Sequence, residues 1–204
     1  MVTTPVIFLP GSLCDERVFA DQLREIDQPC EVADLTLDDS IAAMAIRVLR
    51  AAPPRFALVG LSMGGIVASE IARVAPERVL AMALLDTNLG VADDLQLRTR
   101  RRWASDVRSG RFAQVVEELV PALTISPEAH GPLIVEMATA VGPAGFLRQN
   151  EALIHRRDQL STVSRFQGPI LIARSEERRV GKELRSRLSP SHSKKNETRF
   201  HIAT

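Results

Sequence analysis

The sequence predicts an α/β fold in which a mostly parallel sheet is interrupted late in the chain by a helical insertion. Three observations predict it. Short apolar runs recur at 6–9, 56–59, 79–85 and 168–173, and those at 56–59 and 79–85 are apolar on each face, as strands are when helices cover both sides of a sheet. Helical patterns separate the first three runs, which is the alternation a parallel sheet requires. From about 90 to 165 the patterning is helical, with no convincing strand.

Each element has a local reason. The first strand, 6–9, is closed by the turn-forming Pro10-Gly11 and is expected to be central. Val18, Phe19 and Leu23 recur at helical spacing and predict a helix over 15–23. A second helix is expected to start at a Ser40 cap and run to Pro53. The strand at 56–59 leads through a turn at Ser62 into a helix over about 63–75, and the strand 79–85 follows. The helical stretch is expected to break at Pro121, at Pro127 and at the GPAG of 142–145. The last strand is expected at 168–173, with Pro169 at its first position.

A chain of 204 residues, 45% of them apolar, suits one domain with a buried core. The opening MVTTPVIFLPGS has no basic leader and too short an apolar run for a signal or a membrane span, so a cytoplasmic location is expected. Two cysteines, Cys14 and Cys30, are too few for a disulfide scaffold and match no zinc or redox spacing. The net charge of +1 conceals a break in composition. Residues 1–173 hold 17 arginines, no lysine and 21 acidic residues, a net −4, whereas residues 174–204 hold 9 basic and 4 acidic residues, a net +5. All three lysines, Lys182, Lys194 and Lys195, lie in that last stretch.

The chemistry-bearing motif is Gly60-Leu61-Ser62-Met63-Gly64, a G-x-S-x-G between a predicted strand and a predicted helix. A serine presented on so sharp a turn is a nucleophile in waiting, and the flanking glycines have no Cβ to clash when it adopts a strained backbone. Gly65 lets the helix pack closely on the sheet. At the helix start the macrodipole favours a developing oxyanion, with the Met63 amide as the first donor.

Four segments, FLPGSLCDERVF (8–19), LVGLSMGG (58–65), MALLDTN (82–88) and RRDQLSTVSRFQGPILIA (156–173), resemble the α/β-hydrolase family. The likeness is to bacterial serine hydrolases and esterases whose first strand ends in LPG-x-LCD. It implies a truncated α/β-hydrolase fold: a hydrolase domain over 1–173, a helical cap inserted at about 90–165, and a non-native, disordered tail over 174–204. The resemblance also implies that the loop after the first strand supplies the second oxyanion amide, from Ser12 or Leu13. The usual histidine-glycine pair of that loop is Pro10-Gly11 here, which leaves the role intact because a backbone N–H performs it.

In this family the acid and histidine follow the serine, after the last two strands. Here no aspartate follows Asp158 and no Gly-His pair occurs. Asp86, at the end of the strand after the serine, is the substitute acid from which some relatives work. His130 and His155 lie inside the expected cap and read as solvated or packing residues. Glu176, Glu177, His192 and His201 fall in the charged tail without a strand-and-turn context. The tail itself, RSEERRVGKELRSRLSPSH, resembles translated sequencing-adapter sequence, which would make the 204-residue chain catalytically inactive.

The run RTRRRW (98–103) reads as a solvated helix face that could draw an anionic acyl carrier or carboxylate, and Trp103 as a packing residue of the cap. No phosphate loop, metal cluster or aromatic-basic interleaving occurs, so the expected partner is a small-molecule acyl substrate, with no cofactor, nucleic acid or membrane. The expected activity is hydrolysis of an ester or related acyl bond through an acyl-enzyme on Ser62. The alternatives are a ligand-binding module that keeps the pocket without the chemistry, and an inactive fragment.

Overall fold

The computed structural model describes residues 3–174. Within them a five-stranded, wholly parallel sheet runs in the order β2-β1-β3-β4-β5, with β1 Val6–Leu9, β2 Cys30–Val32, β3 Phe56–Leu61, β4 Val79–Leu85 and β5 Ile170–Ala173. β1 lies inside the sheet between β2 and β3, as expected, and β3 is the middle strand. β2 has no counterpart among the expected strands: three residues flanked by polar sequence carry too little periodicity to show as one. β5 starts one residue after Pro169, whose carbonyl accepts from Met82 N–H at 3.0 Å.

The helices are α1 Ala20–Glu25, α2 Ile41–Ala51, α3 Met63–Val74, α4 Asp94–Arg108, α5 Phe112–Leu123, α6 Pro127–Ile154 and α7 Leu160–Arg165. The single helix expected over 15–23 is instead a 3-10 turn, Glu16–Phe19, followed by α1. The Asp15 side chain caps the turn by accepting from Arg17 N–H, and Phe19 lays its ring 4.9 Å from that of Phe8 on β1. Ser40 caps α2 as predicted, its hydroxyl oxygen accepting from Ala43 N–H. At the other end of α2, Arg78 donates to the carbonyls of Leu49, Ala52 and Pro53, which places a cation where the helix dipole is negative.

The four helices between β4 and β5 form the insertion. Pro127 opens α6, where its missing N–H costs nothing, and the expected break at 142–145 is a kink at Gly142, whose φ is +70°. Pro121 does not break α5, which continues to Leu123; it sits so close to the carboxyl end that a single helical hydrogen bond is lost. Two apolar clusters result. The main one lies on the sheet, built by Ile7, Leu9, Leu58, Met82 and Leu84 with Met44, Ile66 and Ile71 of the flanking helices. A second gathers Val107, Val115, Val116, Ala138 and Phe146 of the insertion around Leu13, a residue of the loop after β1. Leu13 is thus one point at which the insertion grips the sheet domain; Ala152 and Leu153 of α6, in the main cluster, are another.

Candidate active site

Ser62 stands between β3 and α3 with φ 50° and ψ −108°, a conformation that residues with a Cβ rarely adopt. Its N–H donates to the Leu85 carbonyl at 2.8 Å, which fixes the turn to the end of β4. The hydroxyl does not cap α3 and the residue is exposed. Three glycines make the turn possible by leaving room where a Cβ would clash, Gly60 and Gly64 against backbone and Gly65 against the Thr87 side chain. A Cβ on Gly60 would lie 2.5 Å from the Cα of Gly65, and one on Gly65 would lie 2.0 Å from Thr87 Oγ1. Gly64 presses against the carbonyls of Leu9 and Pro10, so elbow and β1 loop interlock. Thr87 completes the contact from the far side, its hydroxyl donating to the Leu85 carbonyl at 3.1 Å.

The β1 loop turns through Cys14 N–H to Gly11 carbonyl at 3.2 Å, and Gly11 lies against Leu61, the residue before Ser62. Leu13 has φ 63°. Its N–H donates to Gln149 Oε1 at 3.0 Å, and the Ser12 hydroxyl donates to the same oxygen at 3.2 Å. Of the two amides named for the second oxyanion donor, Leu13's is therefore taken. No described residue accepts from the N–H of Ser12 or of Met63. Gln149 is fully buried on α6, and its Nε2 donates to the Leu35 carbonyl at 3.3 Å. Nothing in the sequence marks Gln149, because its partners lie 136 and 114 positions away.

Asp86 follows Leu85 as Ser62 follows Leu61, and those two leucines are paired in the β3–β4 register. Asp86 also has positive φ, 44°, and its N–H donates to the Ala173 carbonyl at 2.8 Å, at the end of β5. The serine and this carboxylate thus share one end of the sheet. The described histidines do not join them. His155 ends α6, exposed, with Nε2 at 3.0 Å from Glu151 Oε1. His130 lines a cleft of about 360 Å³ with Arg17, Leu133 and Met137. Glu176, Glu177, His192 and His201 lie outside the described residues.

The surroundings are strongly polarised. Burial, reinforced by Asp15, pushes the Cys14 thiol up to about 11, so it stays protonated beside the β1 loop. Glu70 of α3 is buried, with its carboxyl held below the usual carboxylate range chiefly by Arg73 at 2.7 Å and further by the Gln159 amide at 2.8 Å. The RTRRRW run is not a uniformly solvated face. Arg102 pairs with Glu118 and Asp106, whereas Arg100 turns inward to Asn150 Oδ1 at 3.2 Å, where burial lowers it to about 10. Trp103 packs on the insertion's core and donates to Glu118, as expected. Among the described residues no three His, Cys, Asp or Glu side chains could hold a metal ion, and no helix is long and apolar enough to cross a membrane.

A parallel sheet in this order, a strained serine between its third strand and the next helix, and a helical insertion after the fourth strand define the α/β-hydrolase fold. Solved structures with that fold superpose on most of the chain. A thermophilic esterase from Thermogutta terrifontis matches with TM-score 0.72 and 22% identity, over 85% of this chain and 71% of its own. The enol-lactonase of Burkholderia xenovorans LB400 matches with TM-score 0.70 and 16% identity, over 84% and 72%. MenH from S. aureus matches with TM-score 0.72 and 18% identity, over 84% and 75%. No family model matches the chain. The curated pimeloyl-[acyl-carrier protein] methyl ester esterase of Klebsiella pneumoniae strain 342 is 54% identical over 43 residues, which span 21% of this chain and only 17% of that relative.

Proposed function

We propose that this chain carries the machinery of a serine hydrolase for ester or related acyl bonds, with Ser62 as the nucleophile. One observation carries the reading: Ser62 holds a strained backbone, with φ 50° and ψ −108°, that presents its hydroxyl at the amino end of α3 instead of capping it. Such strain persists only where the surroundings impose it, and here three glycine contacts do. In the reaction Ser62 Oγ bonds to the substrate carbonyl carbon, and the electron pair displaced onto oxygen is held by the N–H groups of Met63 and Ser12. The proton that Ser62 gives up leaves with the expelled alcohol, and water then cleaves acyl-Ser62 to the free acid, its second proton restoring the serine hydroxyl. Asp86 is the acid that this reading assigns among the described residues.

His155 pairs with Glu151 and His130 lines a cleft that Ser62 does not share, so this reading gives neither of them the serine proton. The reading therefore includes slow or absent turnover by the 204-residue chain, with residues 174–204 regarded as non-native on their change of composition. The methyl ester on a protein-carried acyl group, which the Klebsiella relative is named for, suggests the substrate class, and exposed Arg98 and Arg101 on α4 suit an acidic carrier. The insertion is read as a cap that sets acyl specificity.

The test is turnover of a small aryl ester by the 204-residue chain and by one carrying the genomic sequence downstream of the Ala173 codon. The longer chain should be the faster by orders of magnitude, and Ser62→Ala in it should abolish turnover, because removing such a nucleophile costs on the order of 10⁶ in rate. Retention of more than about a tenth of the activity would reject Ser62. Labelling of Ser62 by a fluorophosphonate would reject a non-catalytic binding module.

A further inference from the structure

We infer that Gln149 is a positioning residue for the oxyanion hole, through which the helical insertion holds the β1 loop in its working shape. The inference rests on the reading of Ser62 and the Ser12 amide given above. Leu13 sits at φ 63°, where a side chain is disfavoured, so something must hold it there. Two contacts do, and both come from the insertion. The Leu13 side chain is buried in the cluster with Phe146 and Val107, and its N–H is taken by Gln149 Oε1 at 3.0 Å. The same oxygen accepts the Ser12 hydroxyl at 3.2 Å.

The consequence lies one peptide away. With the Leu13 N–H drawn to Gln149 and the Ser12 hydroxyl tied to the same atom, the loop cannot rotate about this dipeptide without breaking both bonds. The Ser12 N–H, which no described residue accepts from, is left available for an oxyanion. Gln149 is itself locked, fully buried and anchored to the Leu35 carbonyl through Nε2 at 3.3 Å, so its carbonyl oxygen has a fixed direction. Preorganised donors are what make an oxyanion hole effective, since a donor that must first be ordered loses most of its advantage. Gln149 would touch neither substrate nor the reacting atoms.

The experiment compares wild type, Gln149→Leu and Gln149→Glu in the 204-residue chain with two readouts. Amide hydrogen exchange reports on Leu13, with Leu58 in β3 as the control for folding. Release of p-nitrophenol from p-nitrophenyl acetate above buffer reports on the hole, because an oxyanion hole sustains a residual rate on the order of 10³ over water without a complete triad. Gln149→Leu should speed Leu13 exchange and cut the residual rate by about tenfold or more, as expected for the loss of one oxyanion donor, with Leu58 unchanged. The carboxyl that Gln149→Glu introduces is kept neutral by burial, so its carbonyl can accept from Leu13 and its O–H can donate to Leu35. Gln149→Glu should therefore restore both readouts to within about threefold, a range far inside the tenfold effect at issue.

Unchanged Leu13 exchange in Gln149→Leu would overturn the contact, and faster exchange at an unchanged rate would overturn the positioning role. If Gln149→Leu also loses Leu58 protection, Gln149→Glu decides: a folded variant with a slack loop and an undiminished rate overturns the proposal. Wild type no faster than buffer would overturn the hole itself and the positioning role with it, while exchange would still decide whether Gln149 holds the loop.

Discussion

Gly64 and the carbonyl of Leu9 are in direct backbone contact: a Cβ placed on Gly64 would lie 1.9 Å from that oxygen, and 2.8 Å from the carbonyl oxygen of Pro10. This contact joins the serine turn to the β1 loop with nothing between them. Neither oxygen can yield as the tip of a flexible side chain would.

Gly64→Ala is therefore expected to cost at least ~2 kcal/mol in urea denaturation, toward the upper range for overpacking, because the loop must move away from the elbow. Gly110→Ala is the control. Gly110 has positive φ, +80°, but nothing lies within 4 Å of a Cβ there, so the cost should be the conformational penalty alone, about 1 kcal/mol. Equal losses for the two would show that the Gly64 contact is not tight.

Strain at Ser62 makes a second prediction, about stability instead of rate. Glycine accepts φ 50° and ψ −108° far more readily than serine or alanine, so Ser62→Gly should be more stable than Ser62→Ala by roughly 1 kcal/mol. The glycine's larger unfolded-state entropy offsets part of this gain. Chemical denaturation of the two variants checks it, and a less stable Ser62→Gly would contradict the strain.

A third prediction follows from Glu70. Its folded-state pKa lies below the ordinary value, with Arg73 the largest cause, so the interaction is fully present above the usual carboxylate pKa. It is lost as the pH falls through the lowered value. Glu70→Gln removes this dependence. The stability gap between wild type and Glu70→Gln should be constant from pH 7 to about pH 5 and shrink below about pH 4.3, where an unfolded glutamate takes up its proton. A gap that widens toward low pH would contradict the sign.

The parts of this molecule legible in the sequence are those set by local constraint. The bounds of β1 and β4 follow from continuous apolar runs, α2 from its Ser40 cap, and the serine turn from its glycines, of which Gly60 meets Gly64 and Gly65 within five residues. What stayed hidden depends on contacts made only after folding. β2 owes its existence to pairing with β1 along Val6, Ile7 and Phe8, since its own three residues barely alternate. Gln149 and Thr87 reach the site from another helix and another strand end; Gln149 lies in no motif, and Thr87, though within MALLDTN, carries no local sign that it meets Gly65. Arg100 reads as one more solvated arginine in the sequence, and only the fold brings up Asn150 to draw it inward.

Ser62 as the nucleophile is tested most directly by mapping where a reactive ester leaves its acyl group. The 204-residue chain and its Ser62→Ala variant are incubated with p-nitrophenyl butyrate, digested and read by peptide mass spectrometry. Acylation needs no acid for so good a leaving group, and deacylation is slow without a histidine to activate water, so the adduct should persist. The account predicts a butyryl group on Ser62 in wild type and none on that peptide in Ser62→Ala. Butyryl groups confined to the lysines at 182, 194 and 195, in the same pattern in both proteins, would contradict it.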